Sequence, residues 1–363
     1  MMVMIKGEIK GFCPSNYQEV ADKFLENLNS EEEIGASFTV IQNGKLIIDI
    51  HGGFKNKEQT DLWNADTLVG VHSTGKGIIS MLIALLIDQK KLDLDEFVSS
   101  YWPEFKGDGK EEIKVRTLLS HQGGMYAWRE KVHEDDFHNW AYVVELLEKQ
   151  SPLHKPNELI CYHPKTIGFL VGELIRRITK KTIGEFLKEQ ISIPLNVECF
   201  IGTPEVYHDN IATLISAPSL RKAFSDPKNI DEYTLVSFLN PGNRTKTANT
   251  KEYRLAEIPA LNCHSNSKSL AQIYDYFLNS DFISRETFDQ VTSIEVKGED
   301  QVMKRPMQWS PVGFSVGGGK LFGKSNRSFG HTGWGGSMAF TDPENNLSIS
   351  YTMNMLTGSM LGD

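Results

Sequence analysis

A serine and a lysine three residues apart, Ser73-Thr74-Gly75-Lys76, carry the sharpest chemical signal in this chain. A serine hydroxyl is a weak nucleophile until a neighbouring base takes its proton. A lysine amine can be that base only when burial or a nearby cation lowers its pKa. The surrounding sequence supplies burial. Thr67, Leu68, Val69 and Val71 form an apolar, β-branched run that arrives at His72-Ser73, and Ile78, Ile79, Met81, Leu82, Leu85 and Leu86 then recur at helical spacing. Ser73 is therefore expected to open a largely buried helix, with Lys76 one turn along on the same face. The helix N-terminus adds a positive field and N–H groups able to hold an oxyanion. S-x-x-K alone arises by chance, and Ser is also a common helix N-cap, so the motif needs company.

Two further stretches provide it. Cys161-Tyr162-His163-Pro164 stands directly before a predicted helix over Lys165–Ile178. A tyrosine at that helix start, flanked by a lysine, can pass a proton between nucleophile and leaving group, although most tyrosines merely pack. Phe329-Gly330-His331-Thr332-Gly333-Trp334-Gly335-Gly336 opens the penultimate predicted strand. Glycine at this density lets backbone approach a ligand closely. His331 and Thr332 offer side-chain donors, and the Trp334 N–H offers a second oxyanion donor. The plainer alternative is a glycine-rich strand entry with a buried histidine.

The elements that must position these residues follow from pattern. Tyr17–Leu28 reads as an amphipathic helix, and Ala36–Gln42 and Leu46–His51 read as strands joined by Asn43-Gly44, a strong hairpin signal. Asn139–Lys149, Lys165–Ile178 and Thr182–Glu189 are the clear helices of a mainly helical stretch, and Val115–Ser120 is a short one ending at His121. Strand signals return at Gly313–Val316, Ser337–Thr341 and Leu347–Asn354, with Asp342–Asn346 as the last turn. Strands at both ends with helices between predict an α+β fold: one antiparallel sheet made from both termini, flanking helices and an inserted, mainly helical lobe beside a cleft. The expectation is a single domain over 1–363, with a sheet lobe of about 1–95 and 251–363 and a helical lobe of about 96–250.

Composition excludes several function classes. The chain has 363 residues, enough for one large core. Its 38 basic and 47 acidic residues leave a net charge of −9 with no basic stripe, which argues against nucleic acid as a partner. The apolar run Ile78–Ile87 contains Ser80 and stops at Asp88, too short to span a bilayer, so no membrane partner is expected. Lys6, Glu8 and Lys10 interrupt the N-terminal stretch where a signal peptide needs an apolar core, and a cytoplasmic location is expected. Cys13, Cys161, Cys199 and Cys263 are widely spaced, which predicts reduced, mostly buried thiols and no zinc site. His133 and His138 bracket an acidic stretch that reads as a solvated turn rather than a metal site. His51-Gly52-Gly53 is like a lipase oxyanion loop. No G-x-S-x-G elbow accompanies it, since Val71 precedes Ser73 by two and Gly335-Gly336-Ser337-Met338-Ala339 ends in Ala.

Taken in this order, the three motifs resemble the serine β-lactamase and penicillin-binding protein superfamily, most closely its class C-like branch, which includes the family VIII carboxylesterases. Leu118-Leu119-Ser120-His121, Gly168–Leu174 and Trp334-Gly335-Gly336 add weaker family features. The resemblance runs from the early hairpin to the last strand and implies the β-lactamase/transpeptidase-like fold. It implies Ser73 as the acylated nucleophile, Lys76 as its base, and Tyr162 as the proton shuttle. His331-Thr332-Gly333 would replace the K-T-G triad, and the Ser73 and Trp334 N–H groups would form the oxyanion hole. No metal or organic cofactor is implied.

The departures are informative. Pro164 stands where lactamases of this branch carry Asn, and His331 replaces the lysine that grips a substrate carboxylate, leaving that grip weakened or titratable. Both changes point to esters rather than β-lactams. Family members continue into a C-terminal helix that covers the sheet. This chain stops at Asp363, so either it is truncated or the Tyr17–Leu28 helix covers more of the sheet. The expected function is a serine hydrolase acting through an acyl-enzyme on small esters, with a small-molecule ester or amide as its partner and no expectation of oligomeric state. A β-lactamase or D-amino-acid peptidase is one alternative, and a non-catalytic acyl-binding or structural relative is another. Tyr126, Trp128 and Trp309 are candidate cleft residues.

Overall fold

The computed structural model describes residues 8–223, 231–242, 244–317 and 321–358. Asn43 (φ 51°) and Gly44 (φ 71°) are both left-handed, which matches the twist of the strands they join, Gly35–Gln42 and Lys45–Gly53. Leu347–Met353 then pairs antiparallel with Gly35–Gln42, Ile349 opposite Val40, and this ladder unites the two ends of the chain. Among the described residues the resulting sheet has nine strands, every pair antiparallel. Its order is Lys10–Phe12, Lys45–Gly53, Gly35–Gln42, Leu347–Met353, Met338–Asp342, Phe329–Thr332, Ser315–Val316, Arg305–Trp309 and Val296–Asp300.

Alternation along the strands gives the sheet two apolar-facing sides. Tyr351, opposite Phe38, packs edge-on against Phe24 of the helix Gln18–Asn29, with ring centroids 6.3 Å apart. Thr39, on the other face, shares a 2.9 Å hydrogen bond with Ser267 at the start of the helix Ser267–Asn279. Thus a helix from each half of the chain covers the sheet. The serine motif lies beyond the second of these faces. His72–Thr74 forms a single 3-10 turn and leads into the helix Gly75–Asp88, of which every residue from Gly75 to Leu86 is buried. A helix apolar all round belongs at the centre of a molecule, and the central cluster does contain it.

Local pattern does not mark four strands of this nine-stranded sheet or the long helix Ser267–Asn279. Lys10–Phe12 and Val296–Asp300 are the sheet's two edges, where one polar face meets water and the apolar alternation fades. Arg305–Trp309 contains Pro306, which argues against a strand. Phe329–Thr332 is itself a strand, so the His331 stretch does not open Met338–Asp342 but pairs with it across a turn. The Thr67–Val71 run shrinks to the strand Val69–Gly70, which pairs with His264–Ser265; that segment also pairs with Cys199–Phe200. No helix among the described residues is long and apolar enough to cross a membrane.

Candidate active site

Ser73 and Lys76 meet as their spacing requires. The Lys76 Nζ donates to Ser73 Oγ at 2.6 Å, to the Pro164 carbonyl at 2.9 Å and to the Ala260 carbonyl at 3.1 Å. Neutral oxygens surround the amine. Lys76 is only 4% exposed, and burial drives its pKa well below the ordinary lysine value. An amine so desolvated is poised to be neutral, and its lone pair can then accept the Ser73 proton. The residue before Ser73, His72, holds φ at +48°, a left-handed value that a non-glycine side chain seldom adopts.

Tyr162 completes the set. Its ring lies 5.1 Å from the Lys76 Nζ, and its hydroxyl hydrogen-bonds Ser73. Burial pushes the phenol above its usual range and the bond to Ser73 pulls back only in part. Burial thus keeps Tyr162 a neutral phenol, able to donate a proton or a hydrogen bond. The sequence reading missed what holds it there. Asp300, fully buried, accepts from the Tyr162 N–H at 3.1 Å, from Val302 N at 2.9 Å and from Met303 N at 3.0 Å. Its other oxygen accepts from Trp309 Nε1 at 3.3 Å, and the Trp309 ring stacks on Tyr162 at 5.4 Å and 4°. One carboxylate thus fixes both the backbone of the tyrosine and the indole beneath its ring. Nothing in Gly298-Glu299-Asp300 signals this, because an acidic run at a strand end reads as solvated. The histidines behind Tyr162 serve a similar end: His163 Nδ1 donates to the Cys161 carbonyl at 2.7 Å, its Nε2 accepts from Met125 N at 3.1 Å, and His121 Nδ1 accepts from His163 N at 3.2 Å.

Asp300→Asn offers a test of this positioning. The charge of Asp300 helps keep the phenol protonated, and it holds both supports of Tyr162. The variant is expected to lose about tenfold in kcat with little change in KM, and its alkaline limb is expected to move to lower pH. A pH–rate profile identical to the parent in height and position would remove Asp300 from the account.

The third motif closes the other wall. After Phe329–Thr332 the chain turns tightly, with Gly333 N donating to the Ser337 carbonyl at 2.6 Å, and Ser337 Oγ donates to the Val71 carbonyl at 2.9 Å. A Cβ on Gly333 would meet the Val71 carbonyl oxygen at 2.4 Å and Thr74 Oγ1 at 2.7 Å, so only glycine lets this turn lie against the Val71–Thr74 segment. Trp334 comes beside Ser73 as a result, its ring 5.5 Å from that of His72. His331 behaves differently from its expected role. Its Nδ1 donates to the Thr332 carbonyl at 2.7 Å, which leaves Nε2 as a buried lone pair with no partner. Burial, helped by Lys76, lowers its pKa to about 3. His331 is thus an acceptor toward the site and is neither a donor nor titratable near neutral pH.

Two cavities flank Ser73. The larger, of about 500 Å³, is lined by Pro164, Leu261, Leu220, Leu239, Phe238 and Trp334, with Lys165, Arg244 and Lys246 on its wall. The smaller, of about 20 Å³, lies between Tyr162, Trp309, Met303, Met307, Ser315 and His331. Lys165 donates to the Phe238 carbonyl at 2.7 Å and to the Pro241 carbonyl, so it pins the segment that divides the two; burial lowers its pKa to about 7. Of the aromatic candidates, Trp309 lines a cavity beside Ser73. Trp128 packs inside the core on Phe137 and Phe169, and Tyr126 stacks on His154. Gly52 and Gly53 line a separate cavity with Trp63, away from Ser73. His133 and His138 flank a short 3-10 turn, with His133 N donating to Asp136. The thiols are unbonded, three of them buried and Cys13 half-buried.

The whole arrangement has relatives among solved structures. A family VIII carboxylesterase superposes with a TM-score of 0.90 at 30% identity, covering 98% of this chain and 96% of that one. A penicillin-binding protein homologue from Caulobacter crescentus superposes with a TM-score of 0.88 at 29% identity, again covering 98% and 96%. By sequence, the esterase/beta-lactamase LipL of Mycobacterium tuberculosis is 26% identical over 354 residues, which is 90% of this chain and 78% of LipL. The Beta-lactamase family model matches residues 20–361, and on that match over nearly its whole length this chain belongs to the Beta-lactamase family.

Proposed function

We propose that this protein is a serine carboxylesterase that works through an acyl-enzyme on Ser73. The observation that carries this reading is the 2.6 Å contact between Ser73 Oγ and a buried Lys76 amine with no carboxylate partner among the described residues. The neutral amine takes the Ser73 proton as Oγ bonds to the ester carbonyl carbon. Backbone N–H groups of Ser73 and Trp334 receive the oxyanion. When the C–O bond to the alcohol breaks, the leaving oxygen takes a proton from the Tyr162 hydroxyl, which is restored from Lys76. Water then repeats the sequence in reverse, releasing the acid and regenerating Ser73. The unbonded Cys199 and Cys263, with sulfurs 3.8 Å apart, suit a reducing compartment such as the cytoplasm.

A fluorophosphonate probe followed by intact-mass measurement tests the nucleophile. One equivalent is expected on the parent, located at Ser73, and none on Ser73→Ala. Full labelling of Ser73→Ala would place the chemistry elsewhere.

Position 331 favours esters over β-lactams. A carboxylate arriving there meets the Nε2 lone pair of a neutral imidazole, where a lysine would offer a charge-assisted bond about twice as strong as a neutral one. The parent is expected to prefer an uncharged ester to a chromogenic cephalosporin. His331→Lys is expected to shift the ratio of their kcat/KM values toward the cephalosporin by about tenfold, the equivalent of ~1.4 kcal/mol. A parent that prefers the cephalosporin would overturn the ester assignment and leave the nucleophile in place.

A further inference from the structure

We infer that the two cavities divide an ester unequally: a bulky apolar acyl group enters the large one, and the small one admits only a small, uncharged leaving alcohol. The inference rests on the esterase reading above and names the substrate class of that site. The assignment of arms follows from Tyr162. The leaving oxygen must lie where the phenol can protonate it, and Tyr162 lines the small cavity but not the large one. The alcohol therefore departs on the side of Trp309 and His331, and the acyl chain extends toward Pro164 and Leu261.

Size then sets the class. The small cavity offers about one twenty-fifth of the space of the large one, so a methyl or hydroxymethyl group suits it better than an aromatic ring. At about 500 Å³ the other cavity falls within the range of pockets that enclose a drug-sized ligand, and its apolar walls favour a phenylalkyl or branched acyl chain. Polarity points the same way. The small cavity carries two buried polar atoms with no hydrogen-bond partner, His331 Nε2 and Ser315 Oγ, and each residue is only 3% exposed. The lone pair of His331 repels a carboxylate, while the pair can together receive and donate one hydrogen bond with a small hydroxylated alcohol. Among the described residues no cation lines this cavity. In the acylation step the ester R–CO–OR′ gives the acyl-enzyme, R–CO–O–Ser73, and the alcohol R′OH. In the second step water gives R–COOH and free Ser73.

Two isomeric esters separate this allocation from general hydrophobicity. Methyl phenylacetate places the ring on the acyl side, and benzyl acetate places it on the alcohol side. Methanol and benzyl alcohol are of similar acidity, so leaving ability does not decide the outcome. Methyl phenylacetate is expected to show a kcat/KM at least about tenfold above that of benzyl acetate. The carboxymethyl ester of phenylacetic acid should fall below both. Met307→Ala, which enlarges the small cavity, is expected to raise the kcat/KM of benzyl acetate relative to that of methyl phenylacetate several-fold. Leu239→Trp narrows the large cavity from an exposed position, so the variant should fold, and it is expected to lower methyl phenylacetate turnover selectively. Equal or reversed rates for the two isomers overturn the allocation while esterase activity stands. If neither ester is cleaved and Ser73 takes up no fluorophosphonate, the esterase reading itself has failed.

Discussion

Replacing Lys76 by alanine is expected to lower kcat on the order of a thousandfold or more. Among the described residues the amine is the only titratable group in direct contact with Ser73 Oγ other than the Tyr162 phenol, and that phenol is held protonated by burial. Without Lys76 the proton of Ser73 has no acceptor inside the site. Truncation also strands the carbonyls of Pro164 and Ala260, so Lys76→Met, which keeps most of the volume, is the companion variant and should lose as much. Tyr162→Phe is expected to lose most activity too. The double variant should be little worse than the poorer single, because a shared proton path fails as a unit. In the parent, the rate should fall as pH drops through the lowered pKa of Lys76, since the charged ammonium cannot accept a proton. It should hold at alkaline pH until the raised phenol ionises. Near-normal ester turnover in Tyr162→Phe would show that the phenol is not the relay and leave Lys76 to act alone or through water.

Acid is expected to unfold the protein between about pH 5.5 and 3.5. His72 is held neutral with a pKa of about 4, and His163, His264 and His331 with values of about 3, in each case chiefly because burial opposes the charged form. Histidine in the unfolded chain titrates near 6.5. The folded values are depressed, so this stability is fully present above about pH 6.5 and is lost as pH falls toward 4 and 3. Near pH 5 the unfolded chain binds about four more protons at these positions, a slope of about 5 kcal/mol per pH unit. Total stabilities of 5–15 kcal/mol are typical of folded domains, so the transition should fall within about one to three pH units below 6.5. Far- and near-ultraviolet circular dichroism along a pH series measures it. A native near-ultraviolet spectrum persisting at pH 3.5 would mean that some of these imidazoles gain partners or water in the folded state. His264→Asn should move the transition to lower pH if it folds.

Much of the molecule follows from local pattern. Asn43-Gly44 determined a hairpin because its two left-handed residues match the strand twist, and the apolar Ile78–Leu86 run determined a buried helix because no face of it is polar. The S-x-x-K spacing determined the Ser73–Lys76 contact, since one helical turn brings those side chains together whatever surrounds them. Building the sheet from both chain ends was legible in where the strand signals fall. What lies across the sheet was not. Val296–Asp300 and Arg305–Trp309 are held by partners far away in sequence, and their polar or proline-bearing residues carry little period-two signal. The role of Asp300 exists only because that edge strand meets the Tyr162 segment, through the bridge between Ile160 and Asp300. The type of residue 331 was plain, but its protonation state was not. A histidine reads as a donor or a switch until tertiary burial lowers its pKa and the Thr332 carbonyl chooses its tautomer. The unequal cavities were likewise decided by the tertiary structure alone, because Phe238, Met303 and Met307 reach Ser73 from segments far along the chain, and side-chain volume acts on a substrate only once packing sets where it points.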